Sequence, residues 1–163
     1  MKTISIIVCP NGFGHIRRSC QLYNSLTAAG YKVKIYTDKD QFNDYILSKN
    51  ITNNFDISNC SWLPIANDYK KNQFKLDEFR NLSEKISNSL IISDNYLEPF
   101  IYNKKGILLA NFFLHKELLD QDHEYMNSFN SIQWNDINLV TSIFTMPYIK
   151  EKPNSLKIPL IGE

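Results

Sequence analysis

The sequence predicts a single α/β domain, built as a parallel sheet with helices on both faces. Three observations predict it. Short apolar runs rich in β-branched residues recur along the chain, and stretches with helical spacing separate several of them. Strands that alternate with helices need right-handed crossovers, and these place neighbouring strands parallel with the helices packed on the sheet. The length, 163 residues with 43% hydrophobic side chains, is enough for one domain with a core that needs no metal or disulfide staple.

Taken in order, Thr3–Val8 is a continuous β-branched run of the kind found in a strand buried on both faces. Over residues 15–29 the apolar positions Ile16, Cys20, Tyr23 and Leu26 recur at helical spacing, and Gly30 stands where a C-terminal cap belongs. Lys32–Thr37 alternates Val33 and Ile35 with two lysines, a strand with one wetter face. Residues 39–49 read as a second helix. Residues 50–72 are rich in Asn and Asp, carry Pro64 and show no clean period, so they read as loop with one short strand near 55–57. Residues 75–89 set Leu76, Phe79, Leu82 and Ile86 on one helical face. A strand at 90–93 leads directly into Asp94. A strand at 107–110, a helix at 115–129 and a strand at Ile137–Thr141 follow. The domain is expected to span residues 1–155, Rossmann-like in architecture, with 156–163 as the start of an interdomain linker or a last strand. There is no internal repeat and no low-complexity tract.

Charge and cysteine usage narrow the function classes. Eighteen Lys and Arg against seventeen Asp and Glu leave a net charge of +1, which gives no electrostatic reason to expect a nucleic-acid partner. Cys9, Cys20 and Cys60 are odd in number and lack paired ligand spacing, as expected of small buried side chains in a reduced, cytoplasmic protein. Asn11, Gly12 and Gly14 interrupt the N-terminal apolar run too early for a signal peptide. The later apolar stretch at 106–114 contains Asn111 and falls far below the roughly 20 residues a membrane span needs. A soluble protein is expected, with peripheral contact to the inner membrane face left open.

In a parallel α/β sheet, ligands gather at the carboxyl ends of the strands. Three polar groups fall there: the loop at 10–18 (PNGFGHIRR), Asp38 and Asp94. Three readings compete for that loop. A dinucleotide fingerprint needs a third glycine where Arg17 stands, although Asp38 lies near the place of a ribose-binding acid. A phosphate loop needs a Lys and a Ser or Thr that are absent. The third reading makes His15 the working group. At the first turn of a helix the positive end of the macrodipole disfavours the imidazolium and keeps the ring in the neutral form a general base requires. Asp94, closing a strand beside the first, is the candidate that fixes its tautomer. The plainer alternative has His15 and Asp94 each capping a helix.

These residues resemble a family. A strand, then GFGHIRRS opening a helix, then a glycine and a second strand, is similar to the N-terminal, acceptor-side domain of GT-B glycosyltransferases, the bacterial lipid-intermediate N-acetylglucosaminyltransferase group in particular. The stretches LIISDNYLEPF and ILLANFFLHKEL resemble that family's later strand-to-loop segments. The resemblance implies a sugar transferred, with inversion, from a nucleotide-sugar co-substrate, UDP-linked, to a glycan or lipid-linked acceptor in cell-surface polysaccharide biosynthesis, with no other cofactor. It implies His15 as base and Asp94 as its support. Gly12, Phe13, Gly14, Arg17, Arg18 and Asn95 are then the substrate-binding positions. GT-B enzymes carry a second Rossmann-like domain for the nucleotide sugar, and nothing in this sequence resembles it. The expectation is therefore a fragment, or a split enzyme whose donor-binding half is a separate subunit, inactive alone.

Nucleotide-sugar hydrolases of sialic-acid-like pathways share the GxGHxxR segment, with the histidine activating water. A non-catalytic binding or scaffold subunit is a third class. An acceptor surface would favour transfer, and Trp62, Tyr69 and Phe74 among lysines offer either such a surface or ordinary core packing. Asp120 and Asp122 form a DxD triplet inside an expected helix, where residues two apart diverge and chelate poorly. His115 and His123 lack ligand spacing, so no metal is expected.

Overall fold

The first strand sets the frame. In β1 (Thr3–Val8) every residue after Thr3 is buried, so its apolar run has protein on both sides. The computed structural model describes residues 2–71, 73, 75–103, 105–111, 113, 116–117, 125–142 and 146–158. Around β1 lie β2 (Lys32–Thr37), β3 (Ile57–Asn59), β4 (Leu90–Asp94), β5 (Gly106–Leu109), β6 (Ile137–Thr141) and β7 (Ser155–Lys157). The order across the sheet is β3-β2-β1-β4-β5-β6-β7, and every pairing is parallel. The fold is α/β and Rossmann-like, as the alternation of elements predicts.

Successive side chains of a strand point to opposite faces, and the core divides accordingly. On one face Ile4, Ile6, Val8 and Ile35 meet Ile16 and Cys20 of α1 (Phe13–Ala28) and Phe42 and Tyr45 of α2 (Lys39–Ser48). On the other, Ile7, Ile91, Leu108 and Leu139 meet Phe79 and Leu82 of α4 (Leu76–Lys85) and Phe100 of α5 (Pro99–Tyr102). At Gly106 the two layers come so close that a Cβ would stand 2.6 Å from the Phe100 ring and 2.7 Å from the Ile91 carbonyl oxygen.

The differences from the sequence reading lie where tertiary contacts decide. Residues 50–72 are not loop throughout. Residues Ala66–Lys70 form α3, a single turn fixed by the Ile65 N–H donating to Asp68 at 2.8 Å and by buried Tyr69, whose hydroxyl donates to Glu98. The short strand falls at 57–59 rather than 55–57, because Ile57 pairs with Ile35 and the Cys60 N–H donates to the Thr37 carbonyl. Helix α4 stops at Lys85, and 86–89 turn into β4. The helix expected at 115–129 is described only in part, as α6 (Tyr125–Ser128) followed by a 3-10 turn at Phe129–Ser131. After β6 comes α7 (Pro147–Lys150), and within the tail β7 pairs with β6. Among the described residues no helix is long and apolar enough to cross a membrane.

Candidate functional site

Strand order reverses its direction of growth between β1 and β4, the switch point where α/β sheets open a crevice at the carboxyl ends of two neighbouring strands. Val8 and Asp94 are register partners there, so the chain leaves β1 toward α1 directly beside the Asp94 carboxylate. Gly12 makes the exit possible. Its φ of +111° and ψ of 159° suit glycine alone, and its N–H returns to the Pro10 carbonyl at 2.8 Å. Helix α1 then starts at Phe13, which puts His15 in the first turn.

From that position His15 Nδ1 lies 2.9 Å from Asp94 Oδ1. The carboxylate can only accept, so this contact favours a neutral ring protonated on Nδ1, the tautomer in which Nε2 is the bare nitrogen. Among the described residues nothing bonds Nε2, and the His15 side chain remains 22% exposed while Asp94 is 1% exposed. Buried acid and partly exposed imidazole thus form a hydrogen-bonded dyad. Asp94 caps no helix.

A third member joins them. Arg18 grips both oxygens of Asp94, Nε to Oδ2 at 3.1 Å and a terminal nitrogen to Oδ1 at 2.7 Å, and the same nitrogen passes 3.2 Å from His15 Nδ1. Three residues apart on α1, His15 and Arg18 share a face. The guanidinium supplies the counter-charge that a carboxylate so deeply buried requires. Its fork is engaged by the protein's own acid, so it acts on the site through Asp94. Arg17 is exposed on another part of the helix, where its charge reaches the Tyr45 hydroxyl.

The exit of β4 is held firmly. The Ser93 hydroxyl donates to the Tyr96 carbonyl, the Asn95 N–H to the Leu109 carbonyl, and the Tyr96 hydroxyl to the Pro64 carbonyl at 2.6 Å. Asn95 has a φ of +72°, a left-handed conformation that Asn tolerates better than most residues, and it is 5% exposed. Its side-chain Nδ2 has no hydrogen-bond partner among the described residues. A buried, unpaired amide donor next to the dyad's acid is costly.

The other sequence candidates divide clearly. Phe13 is 47% exposed beside the site and packs its ring on Tyr45 at 5.5 Å. A Cβ on Gly14 would meet nothing within 4 Å, so the protein's own packing does not explain that glycine, and open space lies above the helix start. Asp38 is a helix cap, accepting from the Asp40 and Gln41 N–H groups at 3.0 Å each. Trp62 is half-buried and packs edge-on against Phe79, and Tyr69 is buried in the core. Phe74, His115, Asp120, Asp122 and His123 lie outside the described residues. Among the described residues no group of three His, Cys, Asp or Glu side chains is placed to hold a metal.

Cys9, Cys20 and Cys60 are buried, and burial pushes each thiol up to about 11. For Cys9 the neighbouring Asp94 and Glu98 carboxylates add to the effect. Thiols so held are not thiolate nucleophiles near neutral pH. The sequence reading missed Arg18 as the partner of Asp94, and the signal for it was the three-residue step from His15. No protein-family model, no curated protein and no solved structure matches this chain.

Proposed function

We propose that this domain is the acceptor-side half of a GT-B-type glycosyltransferase, in which His15 removes the proton from an acceptor hydroxyl. The observation that carries the reading is the 2.9 Å contact of His15 Nδ1 with Asp94 at the switch-point crevice, with no partner on Nε2 among the described residues. A base in that place takes the hydroxyl proton on Nε2 as the oxygen attacks the sugar carbon of a nucleotide-sugar donor, UDP-linked. The resulting imidazolium is met by the Asp94 carboxylate. Arg18 holds that carboxylate in position. Attack opposite the leaving nucleotide inverts the sugar carbon.

The acceptor is a glycan or lipid-linked saccharide that enters over the open space at Gly14 and past the exposed ring of Phe13. The unpaired Asn95 amide supports a polar ligand beside the acid, since a donor left buried and unmet gains from an acceptor oxygen. The donor nucleotide belongs to a second Rossmann-like domain or a separate subunit, and this chain alone transfers no sugar.

The test is a transfer assay with the donor-binding half supplied, a labelled nucleotide sugar and a lipid-linked acceptor. His15→Ala is expected to lower kcat by roughly 10²- to 10⁴-fold, the usual worth of a general base, with donor Kd unchanged. An equal loss in donor binding contradicts the base assignment. Donor consumption at the same rate without acceptor replaces transfer by hydrolysis.

A further inference from the structure

A cavity of about 180 Å³ opens where α4 lies against the ends of β2 and β3, on the sheet face opposite α1. Its floor belongs to the core, with Tyr36, Cys60 and Leu82 all buried. Half-buried Trp62 supplies an apolar wall. A second wall is a polar stripe of α4. Glu78, Asn81 and Lys85 stand three and four residues apart, a spacing that sets them on one helical face. Asn81 and Lys85 are exposed, and at the rim Asn59 adds a further amide. The Asn59 side-chain oxygen accepts the Lys39 N–H at 3.0 Å, which leaves its amino group as the donor.

About 10 Å of helix separates Glu78 from Lys85. Both charges nevertheless reach the Cys60 thiol on the floor. Burial raises that thiol to about 11, and beyond burial Lys85 lowers it while Glu78 raises it. These features select a ligand. Opposite charges on one wall favour no net charge. A carboxylate that only accepts, an ammonium that only donates and amides that do both are together matched by hydroxyls, each of which donates and accepts. The apolar floor and Trp62 suit a C–H face. Drug-sized sites begin near roughly 300 Å³, so this smaller cavity admits one compact ring.

We propose that this cavity binds a single neutral cyclic polyol, its C–H face on Trp62 and Leu82 and its hydroxyls on Glu78, Asn81 and Lys85. A sugar ring and a cyclitol share this chemistry. The cavity contains no residue of the dyad, and the proposal rests on no step of the transfer reading.

The probes are D-glucose, D-galactose and myo-inositol, each titrated into the chain and followed by two-dimensional NMR. The Trp62 indole N–H reports the cavity, and the Trp134 indole, stacked on Phe113, serves as the reference. Saturable binding of at least one probe is expected, with a Kd on the order of 1–10 mM, moving Trp62 and leaving Trp134 in place. Tighter binding of the sugars assigns a sugar ring, and tighter binding of inositol assigns a cyclitol. Cyclohexanol, a ring without the polyol, and glycerol, a polyol without the ring, should bind at least about tenfold more weakly. Asn81→Ala and Lys85→Met should each weaken binding about three- to tenfold, the worth of a lost hydrogen bond, with Tm within about 2 °C of wild type. No saturable binding of any probe, equal binding of cyclohexanol or glycerol, or unchanged affinity in both variants overturns the proposal. No readout involves His15 or turnover, so a failure here leaves the transfer reading as it stands.

Discussion

Replacing Arg18 by methionine removes the counter-charge from Asp94 while keeping most of the aliphatic stem. The acid is 1% exposed and receives two charge-assisted hydrogen bonds from Arg18, at 2.7 and 3.1 Å. Breaking a buried pair from one side costs about 3–5 kcal/mol, because the other charge stays behind unpaired. Arg18 itself is 28% exposed, and His15 still reaches Asp94 at 2.9 Å, so the lower end of that range applies, about 3 kcal/mol. At this chain length each kcal/mol moves Tm by roughly 2–4 °C, so Arg18→Met should lower Tm by about 6–12 °C. Asp94→Asn should cost only about 1–2 kcal/mol, since the freed guanidinium turns to water while the amide keeps the shape. The double variant should then fall short of the sum of the two by about 2 kcal/mol, a coupling that thermal or urea unfolding measures directly. A Tm loss below about 2 °C for Arg18→Met, or strict additivity, refutes the view that Arg18 compensates a buried carboxylate.

Gly12→Ala should destabilise by about 1–3 kcal/mol in urea unfolding, since its backbone lies where only glycine is unstrained. Gly14→Ala should be neutral or stabilising by up to about 1 kcal/mol, because a Cβ there meets nothing and alanine favours the helix. A like cost for both glycines contradicts the distinct reasons assigned to them. Gly106→Ala should cost more than either, with the Phe100 ring and the Ile91 carbonyl in the way, and a wild-type midpoint would contradict that crowding. Cys9 gives a pH signature. Its folded-state pKa, pushed up from 9.0 to about 11, means the folded chain holds a proton that the unfolded chain releases. The stability it contributes is therefore complete below about pH 9 and is lost as pH rises toward 11. Cys9→Ala should flatten the fall of unfolding free energy with pH across that window by up to about 1.4 kcal/mol per unit. An unchanged slope contradicts the buried-thiol assignment.

β1 was legible because its burial is two-sided and its run is almost wholly apolar, whereas β6 was legible from alternation, with Ile137, Leu139 and Thr141 buried and Asn138 exposed. α3 was not legible. One turn of five residues has too little period to read, and its place comes from Tyr69 meeting Glu98, 29 residues away. The pairing of His15 with Asp94 could be read because both fall at carboxyl ends of strands that a doubly wound order makes neighbours. Arg18 was read as a ligand-facing residue, since a sequence gives the face of a helix but not the depth of the acid opposite. Only burial, with Asp94 nearly sealed from water, makes the guanidinium a structural necessity.

The orientation of the imidazole decides whether a base exists at all. Long-range ¹⁵N–¹H correlation on His15, at mildly alkaline pH, reads which ring nitrogen carries the proton in the neutral form. The dyad requires a protonated Nδ1 bonded to Asp94 and a bare Nε2, with that preference lost in Asp94→Asn. A ring protonated on Nε2 in the native chain would contradict the proton-transfer role, and with it the proposed function.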